Sequence, residues 1–137
     1  MDAFDQMLAK WQPIALSLFR FATGLLLFHY GTAKILGFPV VAMFAKIPPL
    51  IVGAGTLELV LGALLMIGLF TRIAAFILSG EMAFAYFLGH MFKKPEEPVF
   101  LPLLNGGTAA ILFCFGCLYL ATSGGGPISV DAMMRKK

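Results

Sequence analysis

Apolar residues gather into long runs separated by short polar or Gly/Pro-rich breaks. Four of these runs, at about 13–30, 51–69, 72–90 and 100–121, predict membrane-spanning helices. Ahead of the first run, Phe4, Met7, Leu8 and Trp11 recur at i, i+3, i+4, i+7 with Asp2, Asp5 and Lys10 between them, which predicts a short helix lying in the membrane interface. Pro13 suits the first turn of the first span. From Thr32 to Leu50 the breakers Gly37, Pro39, Pro48 and Pro49 predict irregular chain on the membrane surface. Gly68 is placed to end the second helix and Thr71 to cap the third. The expected fold is all-α: an integral membrane four-helix bundle with a short N-terminal interfacial helix, one domain over residues 1–137.

Composition sharpens this. Hydrophobic residues make up 60% of the 137 and charged residues 12%, with a mean hydropathy of +0.92, against about 25% charge in a soluble domain. The partner this implies is the lipid bilayer. Arg135, Lys136 and Lys137 account for most of the +3 net charge, so the balance describes a membrane-facing tail and no nucleic-acid surface. The first apolar run is too long for a cleaved signal, contains Arg20 and lacks a small-residue cleavage site. Four spans put both termini on one side, where Lys10, Arg72, Arg135, Lys136 and Lys137 outnumber Lys34, Lys46, Lys93 and Lys94 opposite. That bias, five against four, predicts cytoplasmic N- and C-termini, with insertion in both orientations as the alternative.

Charged residues inside such runs are costly and are turned inward with a partner. Counting about 1.5 Å per residue from the helix ends, Arg20, Glu81 and Glu58 fall in a middle layer. These three are the candidate catalytic, proton-handling residues. Glu81 is nearest Arg20 in depth and is expected to pair with it, leaving Glu58 for proton chemistry; the bland alternative is an ion cluster that only fixes helix register. His29, Tyr30, Lys34, His90 and Asn105 fall near the opposite rim. They are the candidate substrate-binding set, for a polar headgroup or a small oxyanion, unless they merely snorkel to water.

Cys114 and Cys117 have C-x-x-C spacing but lie inside a span, away from a helix N-terminus that would activate a thiol, and read as buried apolar cysteines. No ligand set for zinc, haem or an iron–sulfur cluster is visible. The many phenylalanines read as core and lipid-facing packing, with room for an aromatic-lined quinone slot; a quinone is the one cofactor suggested, and none is expected to be covalently bound.

Arg20 with Gly24, Gly31-Thr32-Ala33-Lys34, Gly37-Phe38-Pro39, Leu57-Glu58-Leu59, Gly68 to Arg72, Gly80-Glu81-Met82-Ala83, Ala85-Tyr86-Phe87 with His90, Leu104 to Gly107, and Gly124 to Gly126 with Ser129 and Asp131 occur in an order and spacing that resembles the DoxX family. The chain departs from the family pattern at Tyr30, where a histidine is usual, and at Thr108, where many members carry a glutamate. The resemblance implies a multi-pass bacterial inner-membrane protein, and a small subunit of a membrane oxidoreductase system handling quinone, sulfur-oxyanion or thiol-type substrates. Against that stand a non-catalytic accessory or scaffold subunit, whose small-residue faces dock on other membrane or redox subunits or on a second copy, and a small proton-coupled transporter.

Overall fold

The computed structural model describes residues 2–136; Met1, in the expected interfacial segment, and Lys137, in the basic tail, lie outside the described residues. The chain is a membrane helical bundle. Its elements are α1 (Ala3–Ile35), α2 (Pro49–Ile67), α3 (Thr71–Tyr86) continued by a π turn over Phe87–Met91, the short α4 (Pro102–Asn105), α5 (Thr108–Ser123) and the short α6 (Val130–Arg135). Around the bundle α1 packs chiefly on α2 and α3 on α5, with narrower α2–α3 and α1–α5 seams closing the ring. Leu27, Leu65, Leu78, Cys117 and Leu120 fill its centre and are fully buried. The outward faces carry Leu18, Phe76, Phe84, Leu112 and Phe115, all exposed, as expected where the surrounding solvent is lipid.

Three boundaries differ from the sequence reading. The interfacial helix and the first span are one continuous helix of 33 residues: Pro13 lies inside it, and Asp2 caps its start by accepting from the Asp5 backbone N–H at 2.8 Å. The same helix runs on to Ile35, so Lys34 belongs to its last turn instead of to a surface loop. At the other end of the chain, α5 has 16 residues and rises about 24 Å, less than the roughly 30 Å of a hydrocarbon core. Exposed Leu101, Leu103 and Leu104 around α4 extend the apolar surface beyond it.

Small residues set the α1–α2 register. A Cβ added at Gly24 would come within 2.6 Å of the Met66 backbone nitrogen, and one at Gly62 within 2.8 Å of that of Phe28. Gly31 lies equally close against Leu59, and Gly55 against Lys34. The helices therefore run antiparallel with backbones nearly touching, as small-residue stripes allow in membranes.

Candidate functional site

That register decides which ions meet. Residue 31 lies opposite 59 and residue 34 opposite 55, so the end of α1 faces the middle of α2. Helical side chains tilt toward the N-terminus, and this carries Lys34 back along α1 to the level of Glu58. Its ammonium donates to both carboxylate oxygens of Glu58 at 2.9 Å. Glu58 is 1% exposed and the Lys34 side chain 12%, and among the described residues theirs is the one ion pair. The rings of Tyr30 and Phe44 lie 5.7 Å and 5.4 Å from the ammonium, which adds cation–π attraction. Phe113 meets Tyr30 edge-on at 6.2 Å.

Glu81, on the face of α3 turned to α2, completes a cluster. Its electrostatic neighbours are Glu58, whose carboxyl is within side-chain hydrogen-bonding reach, and Lys34, and both of its carboxyl oxygens are buried with no donor from another residue among the described residues. Two carboxylates thus share one ammonium. The group is neutral when it holds a single proton between Glu58 and Glu81.

Arg20 does not belong to this layer, which corrects the expected Arg20–Glu81 pair. Opposite Arg20 the register places the α2–α3 turn, and the guanidinium Nη1 donates there to the carbonyls of Gly125 at 2.7 Å and Ile128 at 2.8 Å, with Nη2 to Met66 at 3.3 Å. The tail it holds returns an acid to the same turn. Asp131 accepts from the backbone N–H groups of Phe70 and Thr71, each at 2.9 Å, so the start of α3 is capped by a residue 60 positions away and not by the Thr71 side chain, whose buried hydroxyl lies beside the same carboxylate. Burial works against the Asp131 carboxylate, but these hydrogen bonds and the nearby Arg135 outweigh it and hold the group below the usual range. Gly68 ends α2 as expected, at φ 73°.

The expected rim set divides. His90 and Asn105 come together, His90 Nδ1 lying 3.2 Å from the Asn105 carbonyl oxygen, and the Asn105 side chain donates to the Val99 carbonyl at 2.8 Å and the Tyr86 hydroxyl at 3.3 Å. The π turn that carries His90 lets α3 meet the loop before α4. Lys34 and Tyr30 join Glu58 instead, and His29 is exposed on α1. Tyr86 is the member of this group that the expected rim set lacked, although its spacing of four from His90 puts the two on one helix face. Cys114 and Cys117 are free thiols, and the Ser79 hydroxyl donates to the Cys114 carbonyl at 2.8 Å. No group of three His, Cys, Asp or Glu side chains suited to a metal occurs among the described residues.

The DoxX family profile matches residues 15–91, the part of the chain that contains Arg20, Lys34, Glu58, Glu81 and His90. The chain belongs to the DoxX family. A Haemophilus influenzae protein described as an uncharacterized protein is 41% identical over 133 residues, covering 95% of this chain and 98% of the relative. No solved structure matches the chain. For this DoxX protein the family region therefore contains the whole Lys34, Glu58 and Glu81 cluster, whereas the α5 and α6 side of the bundle lies beyond it.

Proposed function

We propose that this DoxX protein is a small subunit of a redox system in the bacterial inner membrane, and that its Lys34, Glu58 and Glu81 cluster takes up and releases a proton within the bilayer. The single observation that carries this reading is the Glu81 carboxyl: buried, with no donor from another residue among the described residues, with the Glu58 carboxyl as its hydrogen-bonding neighbour, and beside an ion pair that already engages the one available cation. A buried carboxyl serving only as structural glue is hydrogen-bonded. One left open beside a second carboxylate is suited to exchanging a proton.

Tyr30 and Phe44 flank the Lys34 ammonium and Phe113 borders Tyr30, a set of rings that fits a quinone headgroup. A bound quinone would supply the electron chemistry; Lys34 would orient its oxygen and the carboxylates would hold the proton. Both termini are cytoplasmic on this reading, which puts the basic Arg72, Arg135 and Lys136 on the positive-inside face. The test is infrared difference spectroscopy of the protein in lipid between acid and alkaline pH, combined with assay of co-extracted quinone. A carboxylic-acid band that disappears in Glu81→Gln and moves in Glu58→Gln, with quinone reduced in Lys34→Met, is the expected result. A spectrum and quinone content indifferent to all three substitutions rule the reading out.

One observation favours a second reading, that of an accessory subunit. Gly53, Gly80 and Gly89 face open space, with nothing within 4 Å of the point where a Cβ would stand, and suit close approach of a helix from another subunit or a second copy. Recovery of a stoichiometric partner from native membranes, lost in Gly80→Leu, is the outcome that distinguishes it.

A further inference from the structure

A cleft of about 360 Å³ opens between α1, the end of α2 and α6. Its lining combines Ser17, Arg20 and Ser129, which are buried, with apolar side chains such as Leu18, Phe21 and Met133, which are exposed. The polar side chains are therefore the buried part of the lining and the apolar ones its exposed part.

Arg20 is 4% exposed and makes three hydrogen bonds, all to backbone carbonyls. A guanidinium has five N–H donors, and here Nε is left without an acceptor. No carboxylate lies within ion-pair distance of it among the described residues. The charge of Asp131 reaches it, but both oxygens of that carboxylate are engaged by Phe70 and Thr71. A buried cation hydrogen-bonded by carbonyls alone, in a mostly apolar cleft bordered by α6, whose end carries the exposed Arg135 and Lys136, is complementary to an acidic headgroup that carries hydrocarbon.

We propose that this cleft binds an anionic phospholipid of the surrounding bilayer, its phosphate directed to Arg20 and one acyl chain lying along Leu18, Phe21 and Met133. Arg20 thereby has a role separate from the proton cluster.

The experiment uses the full chain in mild detergent, incubated with phosphatidylglycerol, phosphatidylcholine or inorganic phosphate, and read by native mass spectrometry and thermal unfolding. Phosphatidylglycerol is expected to be retained about tenfold over phosphatidylcholine, equivalent to about 1.4 kcal/mol, and to raise Tm, with inorganic phosphate inert. Arg20→Gln should abolish the preference. Because Arg20 also holds the tail, Met133→Glu is the companion variant: it sets an acid on the exposed wall, touches none of the Arg20 hydrogen bonds, and should remove the preference from a folded protein. The double variant Arg135→Gln, Lys136→Gln should keep most of it. Equal retention of the two lipids, an unchanged preference in Met133→Glu, an equal Tm rise with phosphate alone, or loss in the double variant but not in Met133→Glu would each overturn the proposal.

Discussion

The Lys34 ammonium, in the last turn of α1, stands 2.9 Å from both oxygens of Glu58 in the middle of α2. The pair ties the far end of one helix to the centre of its neighbour, and it leaves Glu81 with no cation of its own.

Removing the cation should be costly. Lys34→Met leaves the Glu58 carboxylate buried and uncompensated, a loss of about 3–5 kcal/mol. The double variant Lys34→Met, Glu58→Leu should recover most of it, since an apolar pair replaces a desolvated one. Thermal unfolding in detergent across the double-mutant cycle checks this; additive losses would mean that the two side chains do not depend on each other.

Glu81 should behave in the opposite way. Its oxygens have no donor from another residue and face the Glu58 carboxyl, so Glu81→Leu removes a poorly compensated buried polar group worth about 1–3 kcal/mol and should leave Tm equal or higher. Proton exchange should be lost in the same variant. A stability loss like that of Lys34→Met would identify Glu81 as a structural member of the cluster.

Asp131 links stability to pH. Its folded-state carboxyl is held below its unfolded value, because the hydrogen bonds at Phe70 and Thr71 outweigh burial. Its contribution is therefore fully present above the unfolded value of about 3.9, and is lost as pH falls through the lower folded value. Asp131→Asn should cost about 0.5–2 kcal/mol at neutral pH, the worth of a helix cap. Unfolding curves of the two proteins should converge in strong acid; a constant gap down to the lowest accessible pH would count against the carboxylate as the cap.

Two glycines should respond with opposite signs. Gly31→Leu forces a side chain into the backbone of Leu59 and should cost at least about 1–3 kcal/mol, with loss of the Lys34 and Glu58 register. Gly80→Ala meets nothing within 4 Å and should stabilise α3 by about 0.5–1 kcal/mol. Chemical unfolding of the reconstituted proteins measures both.

The sequence by itself determined the class. Runs of apolar residues long enough to cross a bilayer cannot fold as anything but helices there, because each backbone group must be satisfied within its own segment, and Gly68, the α2–α3 turn and the ordered family motifs were legible for the same local reason. It also marked Glu58 and Glu81 as the residues to watch, since a carboxylate in such a run stands out without any structure. Which cation meets them was decided by the tertiary structure alone. Depth counted from an assumed start at Pro13 and end at Tyr30 put Arg20 in the carboxylate layer, whereas α1 spans Ala3 to Ile35 and its glycines lock it to α2 one layer away. Arg20 then falls at the turn and Lys34 at Glu58. A shift of a few residues in a helix boundary is invisible to hydrophobic periodicity, yet it moves an ion by a full turn or more; only the contacts of Gly24, Gly31 and Gly62 with the facing backbone, and of Gly55 with the Lys34 and Ile35 side chains, fix it.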